Sequence, residues 1–125
     1  MINLEEVLSI HAILIERFGG TTGVRDQGAL EAAIHRPFAT FDHQDLYPTV
    51  TDKAAALFES IIINHPFLDG NKRTAYVLMR LLLMNNGNDI DATEDDKYSM
   101  VISASKGEFR FEDIRSWIQV RLRNI

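Results

Sequence analysis

The sequence predicts an all-α fold, a compact bundle of about six helices. Three observations predict it. Apolar residues recur at helical spacing through most of the 125 residues. Capping residues and breakers punctuate these runs. Two of the runs are apolar nearly all round, as the inner helices of a bundle are.

Leu4, Val7, Leu8, His11, Leu14, Ile15 and Phe18 share one helical stripe, which predicts a first helix over about residues 4–18. Asn3 with Glu6 reads as a capping box, and Gly19-Gly20 as the stop. Asp26 is placed to cap a second helix that carries Leu30, Ala33 and Ile34 and ends before Pro37. Residues 37–50 hold two prolines and three aromatics without a clear period, and read as an ordered loop. Its length exceeds the usual connection in a compact domain, which hints at function. Thr51 reads as the cap of a third helix, DKAAALFESIIIN, in which Ala55, Phe58 and Ile62 mark a central position. Pro66 cannot continue it. A fourth helix is expected from near Asn71 to Asn86 with Gly87 as its stop, a fifth capped by Thr93 with Asp96 and running to about Ser105, where Lys106-Gly107 ends it, and a sixth over about Glu112–Arg123. Asn88–Ala92 and Glu108–Arg110 read as a short strand pair. The length predicts a single domain, residues 1–125.

Composition narrows the function. There are no cysteines, which removes disulfides and thiolate metal sites. No apolar run approaches the roughly 18 residues of a membrane span. The N-terminal MINLEEVLSIH lacks the features of a secretory leader. A cytoplasmic protein without membrane contact is expected. The net charge of −5 argues against direct nucleic-acid binding. The stretch from His65 to Arg80 runs the other way. It holds Lys72, Arg73 and Arg80 against one acid, Asp69, a local net of +2 suited to a small anion.

That stretch begins HPFLDGNKR, His65 to Arg73, between the two most apolar helices. Pro66 restrains His65 toward extended geometry. Phe67 reads as an anchor in the core. The first N–H groups of a helix lack internal partners and carry the positive end of its dipole, so a helix start after a glycine suits an anion. Gly70 has no Cβ to keep a phosphate from the backbone. Lys72 and Arg73 oppose the helix dipole, a conflict that a bound anion would remove. Each residue also has a plainer reading: His65 as a polar helix end, Asp69 as a cap, Lys72 and Arg73 as solvated charges. The functional reading rests on their joint occurrence within one turn.

HPFLDGNKR resembles the signature loop of the Fic/Doc superfamily. Fic-type members carry H-P-F-x-[DE]-G-N-G-R, and the death-on-curing branch carries H-x-F-x-[DN]-x-N-K-R. The stretches LSIHAILIERFGG, RDQGALEAAIHRPFATF with DLYPT, LLLMNNG and KGEFRFEDI extend the resemblance to the death-on-curing branch over nearly the whole chain. It implies an all-α fold with the motif between two central helices. It also implies transfer of the terminal phosphoryl of ATP, with Mg²⁺, to a hydroxyl of a protein of the elongation factor Tu class, which halts translation. Carried onto this sequence, His65 would be the general base and Asp69 would bind the metal. Gly70, Asn71 and Lys72 would line an anion hole, and Arg73 would hold phosphate oxygens. AMP transfer, the usual Fic reaction, is the alternative. Two departures from the Fic pattern favour phosphorylation: Lys72 replaces the second glycine, and Tyr76 stands where a second arginine is frequent. Arg80, two helical turns beyond Arg73, is too far along to substitute.

Many Fic proteins inhibit themselves through [ST]-x-x-x-E-[GN]. No glutamate of this sequence precedes glycine or asparagine. A separate antitoxin protein is the expected restraint. The resemblance also makes residues 37–50 a flap that grips an extended target segment through Phe38, Phe41 and Tyr47. The alternative is that these aromatics only pack the loop down. A rival from another class is a HEPN-type ribonuclease toxin with an R-x4–6-H pair. Arg36 and His43 have that spacing, but Pro37 and its neighbours place them in a loop. His11, on the apolar stripe of the first helix, reads as a satisfied core histidine.

Overall fold

A computed structural model describes residues 2–125. Its helices are α1 (Leu4–Phe18), α2 (Gln27–His35), α3 (Val50–Asn64), α4 (Asn71–Met84), α5 (Glu94–Ser105) and α6 (Phe111–Arg121). Two small antiparallel pairs accompany them, β1 (Thr40–Phe41) with β2 (Gln44–Asp45), and β3 (Asn88–Ile90) with β4 (Leu122–Asn124). The expected all-α bundle of six helices is the observed one.

The core is built around α3. Every residue from Ala54 to Ile62 is buried, and α4, α6 and α2 pack on it. Ala54, Ala55 and Ala56 let those neighbours approach. Leu57, Phe58, Ile61 and Ile62 fill the space between them and Leu78, Met79, Leu83, Ile114 and Ile118. Burial of each such side chain contributes about 1.5–3 kcal/mol. α3 and α4 thus form a rigid, dry hairpin, and the HPFLDGNKR turn is its bend.

The caps explain the boundaries. Asn3 Oδ1 accepts from the Glu6 N–H at 2.8 Å, and Asp26 Oδ1 from the Ala29 N–H at 3.0 Å. Glu6 bonds the Asn3 side-chain amide rather than its backbone, so that capping box is half formed. α3 starts earlier than expected. Thr49, not Thr51, is its cap, in a capping box with Asp52, while Thr51 lies buried inside the helix. α4 ends at Met84, capped by Asn85, two residues short of expectation.

The strand pairing also differs. β3 pairs with β4, not with Glu108–Arg110. The Glu108 and Phe109 N–H groups instead donate to Ser103 O at 2.9 and 3.2 Å, closing the end of α5. α6 covers Phe111–Arg121, because Leu122 turns extended (φ −69°, ψ 136°) and carries residues 122–124 beside β3. Residues 37–50 are more structured than a loop. A short 3₁₀ turn, Arg36–Phe38, leads into the β1–β2 hairpin. Lys53 ties this segment to α3, donating to Pro37 O, Tyr47 O and Asp45 Oδ2.

Two carboxylates sit inside this frame. Glu59, 6 % exposed, accepts from Arg36 at 2.9 Å and from Arg110 at 3.0 Å, joining α3 to the 3₁₀ turn and to the start of α6. Burial raises its pKa, but the hydrogen bonds from Arg110 and Arg36 outweigh burial and hold it below the usual glutamate range. Asp89 on β3 takes a two-pronged bond from Arg80, Nε to Oδ1 at 2.9 Å and Nη2 to Oδ2 at 2.8 Å. That bond keeps its carboxyl below the ordinary range. A depressed folded-state pKa stabilises the fold above the unfolded pKa and is lost as pH falls through the folded one. Thermal unfolding is therefore expected to be nearly level down to about pH 5 and to weaken below ~4, near the free carboxyl values. Asp89→Asn should lower Tm at pH 7 and flatten the acid limb. A Tm–pH series on both proteins checks this.

Candidate active site

His65 caps the end of α3, and its N–H still donates to Ile61 O at 3.1 Å. The residue itself is left-handed (φ 48°, ψ 59°), not extended as the following proline predicts, because it closes the end of α3. Non-glycine residues adopt this conformation uncommonly. Pro66 stops the helix. Phe67, 1 % exposed, drops into the core and stacks face to face on the His11 ring at 3.9 Å between centroids. Asn71 closes the turn from inside, its Oδ1 accepting from the Phe67 N–H and its Nδ2 donating to Phe67 O, both at 3.0 Å.

The connection between α1 and α2 holds the turn from outside. The Leu68 N–H donates to Gly23 O at 3.0 Å, and the Arg25 and Asp26 N–H groups both donate to Pro66 O, at 2.7 and 3.0 Å. Val24 and Phe67 form an isolated antiparallel bridge. Residues 65–70 are thus gripped on both sides, which keeps an exposed turn in one shape.

Asp69 faces outward at the mouth of the turn. Its Oδ1 accepts from the Gly70 N–H at 2.9 Å and its Oδ2 from the Thr21 N–H at 3.1 Å. These fix the carboxylate and leave each oxygen further acceptor capacity. Gly20 must be small here, since a Cβ on it would lie 2.6 Å from Asp69 Oδ2. Gly70 caps α4 without a side chain, at φ 73°. Its missing Cβ would point at Ile15 and His11, so glycine is demanded by the backbone angle and by packing on α1, not by room for a phosphate.

The first backbone hydrogen bond of α4 runs from the Thr74 N–H to Gly70 O. The N–H groups of Asn71, Lys72 and Arg73 therefore have no partner inside the helix. Lys72 and Arg73 project at the same end, and both are exposed. The Arg73 guanidinium lies over the Phe18 ring, 4.1 Å from its centroid, which orders a long side chain on the rim. Arg80 does not join them. Its bond to Asp89 takes it out of the positive patch counted from sequence. His65, Leu68, Asp69, Gly70, Asn71, Lys72 and Arg73 line a depression of about 300 Å³. It brings together every candidate site residue of the motif, His65, Asp69, Gly70, Asn71, Lys72 and Arg73, with one difference in use. The Asn71 amide is spent on shaping the turn, so its N–H is what it presents to the helix start.

A family model described as Fic/DOC family matches residues 1–83, which takes in α1 through most of α4 and the whole turn. The chain belongs to the Fic/DOC family. It is 45% identical over 97 residues to Toxin Doc of Mycolicibacterium smegmatis, covering 73% of this chain and 72% of that protein. It is 30% identical over 114 residues to Protein kinase doc of Escherichia phage P1, covering 90% and 88% of the two chains.

Around this Fic/DOC turn, sequence reading missed two contributors. His11 is the satisfied core histidine expected, and its partner is the turn itself. Its Nε2 lies 2.8 Å from Asp69 O, and its ring carries Phe67. The only signal was a polar residue on a buried stripe, which needs a partner. The 19–26 connection gave no sign that it would brace the turn. Arg36 and His43, the rival nuclease pair, are not assembled for catalysis. Arg36 is committed to Tyr47, Glu59 and Ser60, and His43 sits at the tip of the β1–β2 hairpin. The flap aromatics divide. Phe41 is 75 % exposed, while Tyr47 tilts against Phe111 and Phe38 is half buried under the Lys53 ammonium. Among the described residues no helix is long and apolar enough to cross a membrane.

Proposed function

We propose that this chain is a toxin-type protein kinase, transferring the terminal phosphoryl of ATP to a hydroxyl of a translation factor of the elongation factor Tu class. The observation that carries this reading is the single depression lined by His65, Asp69 and the start of α4 with Lys72 and Arg73. The names of the two relatives, a toxin and a protein kinase, support it. A second cleft of about 320 Å³ shares Lys72 and Arg73 and adds Tyr76, Tyr98, Val101 and Ile102 together with the charged Glu94 and Lys97, a mixed lining with room for a nucleoside.

In this reading the open N–H groups of Asn71, Lys72 and Arg73 and the two cationic side chains receive the phosphates. Phosphoryl transfer asks mainly for such positioning and charge stabilisation. His65 takes the proton from the target hydroxyl as its oxygen attacks the terminal phosphorus. The bond from that phosphorus to the bridging oxygen breaks, and ADP leaves. Asp69 suits Mg²⁺, being a fixed carboxylate with spare acceptor capacity. Among the described residues no cluster of three or more His, Cys, Asp or Glu is found. Bound at Asp69, Mg²⁺ would neutralise charge between the phosphates. Tyr76, with its pKa pushed up to about 12 by burial, is a neutral phenol where Fic enzymes often have a second arginine. Arg80 is tied to Asp89, which supports the kinase reading over AMP transfer. The exposed Phe41 and the free edge of the hairpin offer a grip for an extended target segment. A separate antitoxin is the proposed restraint.

Incubation with Mg²⁺, elongation factor and ATP labelled at the γ or the α phosphate tests the reading. Label from γ but not α on the factor is the expected result. Label from α would mean AMP transfer instead. RNA cleavage with neither label would sink both.

A further inference from the structure

We propose that Arg25 is a positioning residue for His65. The inference rests on the kinase reading above, in which His65 is the base. His65 occupies the left-handed region, so something must hold it there. Arg25 grips this segment from 40 residues away. Its Nε donates to His65 O at 2.7 Å, and its Nη2 donates to Asn64 O. Its own N–H donates to Pro66 O at 2.7 Å, joined there by the Asp26 N–H at 3.0 Å. Three successive carbonyls, 64 to 66, are thus gathered by one residue and its neighbour.

The chemistry of the side chain matters. The carbonyls of a helix end carry the negative pole of its dipole, which a cation complements. Two carbonyls side by side match the planar fork of a guanidinium, and a lysine ammonium cannot span them in the same way. Arg25 does not line the 300 Å³ depression, so it meets neither phosphate nor metal there. The rest of the turn has other supports: Asn71 on Phe67, His11 beneath Asp69, and Thr21 on the Asp69 carboxylate. Loss of the Arg25 side chain therefore frees His65 and leaves the phosphate seat in place. The base drifts from the target hydroxyl while nucleotide binding persists.

The test uses Arg25→Met and Arg25→Lys, each made in the wild-type chain and in His65→Ala. Phosphate transfer, KM for Mg·ATP, thermal unfolding and the scalar coupling that reports φ at His65 are measured. Arg25→Met should lower kcat roughly 10–100-fold, the scale of a small misplacement of a reacting group, with KM unchanged. Arg25→Lys should fall in the same direction. Neither change should lower the residual rate of His65→Ala further, because the residue acts through His65. The coupling at His65 should shift in both variants. Equal fractional losses with and without His65, or an unchanged coupling, would overturn the assignment. So would loss of folding in both variants, which would make the role structural. A wild-type chain with no transfer activity would refute the kinase reading, and the coupling at His65 would still decide the role of Arg25.

Discussion

Replacing His65 by alanine is expected to slow phosphate transfer by about 10²–10⁴-fold, the usual contribution of a general base. The fold should not suffer. His65 is exposed, and its N–H bond to Ile61 O does not involve the ring. Nucleotide affinity should also persist, because the phosphates are assigned to the start of α4 and to Lys72 and Arg73, none of which needs the imidazole. The expected pattern is a collapse of kcat with KM for Mg·ATP and Tm nearly unchanged. A variant that keeps its rate would remove His65 from the mechanism. One that loses nucleotide binding in step would make it a ligand of the phosphates.

Phe67→Ala should be the costliest change to the turn, destabilising the chain by about 3–5 kcal/mol, as buried aromatic truncations do. The ring is fully enclosed and lies flat on His11. Its loss opens a cavity under the turn and leaves His11 without the surface that orients it toward Asp69 O. The backbone of Phe67 is also the point where Asn71 from inside and Val24 from outside meet. Activity should therefore fall together with stability, in contrast to His65→Ala. Urea denaturation alongside the transfer assay separates the two patterns. A stable and active Phe67→Ala would mean that the turn is not held from the core.

What was legible in the sequence was local. Asn3, Asp26 and Thr93 each sit before a helical run, and each accepts from the N–H three residues on. Thr49 and Thr51 illustrate a near miss. Both precede an apolar run, but only Thr49 has an acid three positions later to return the bond, and that spacing decides the start of α3. The motif itself was legible as a polar turn between two buried helices. Hidden from local reading were pairings across long stretches of chain. Leu122 extends rather than coils because Ile90 lies opposite it, and nothing near residue 122 announces that. The bond from His11 to Asp69 spans 58 residues, and that from Arg25 to His65 spans 40. Gly70 shows the same limit. Its place in the turn was visible, but its causes are the left-handed backbone at φ 73° and the close packing of Ile15 and His11 on α1.

The central claim is that the bend between α3 and α4 seats the phosphates of a nucleotide beside an imidazole. Titration of Mg·ATP into isotopically labelled protein, followed by backbone amide NMR, tests it most directly. The expected result is a saturable shift of the Asn71, Lys72 and Arg73 amides, with His65 and Asp69 moving at the same midpoint. Amides that stay still while the nucleotide binds elsewhere, or no binding at millimolar nucleotide, would contradict it.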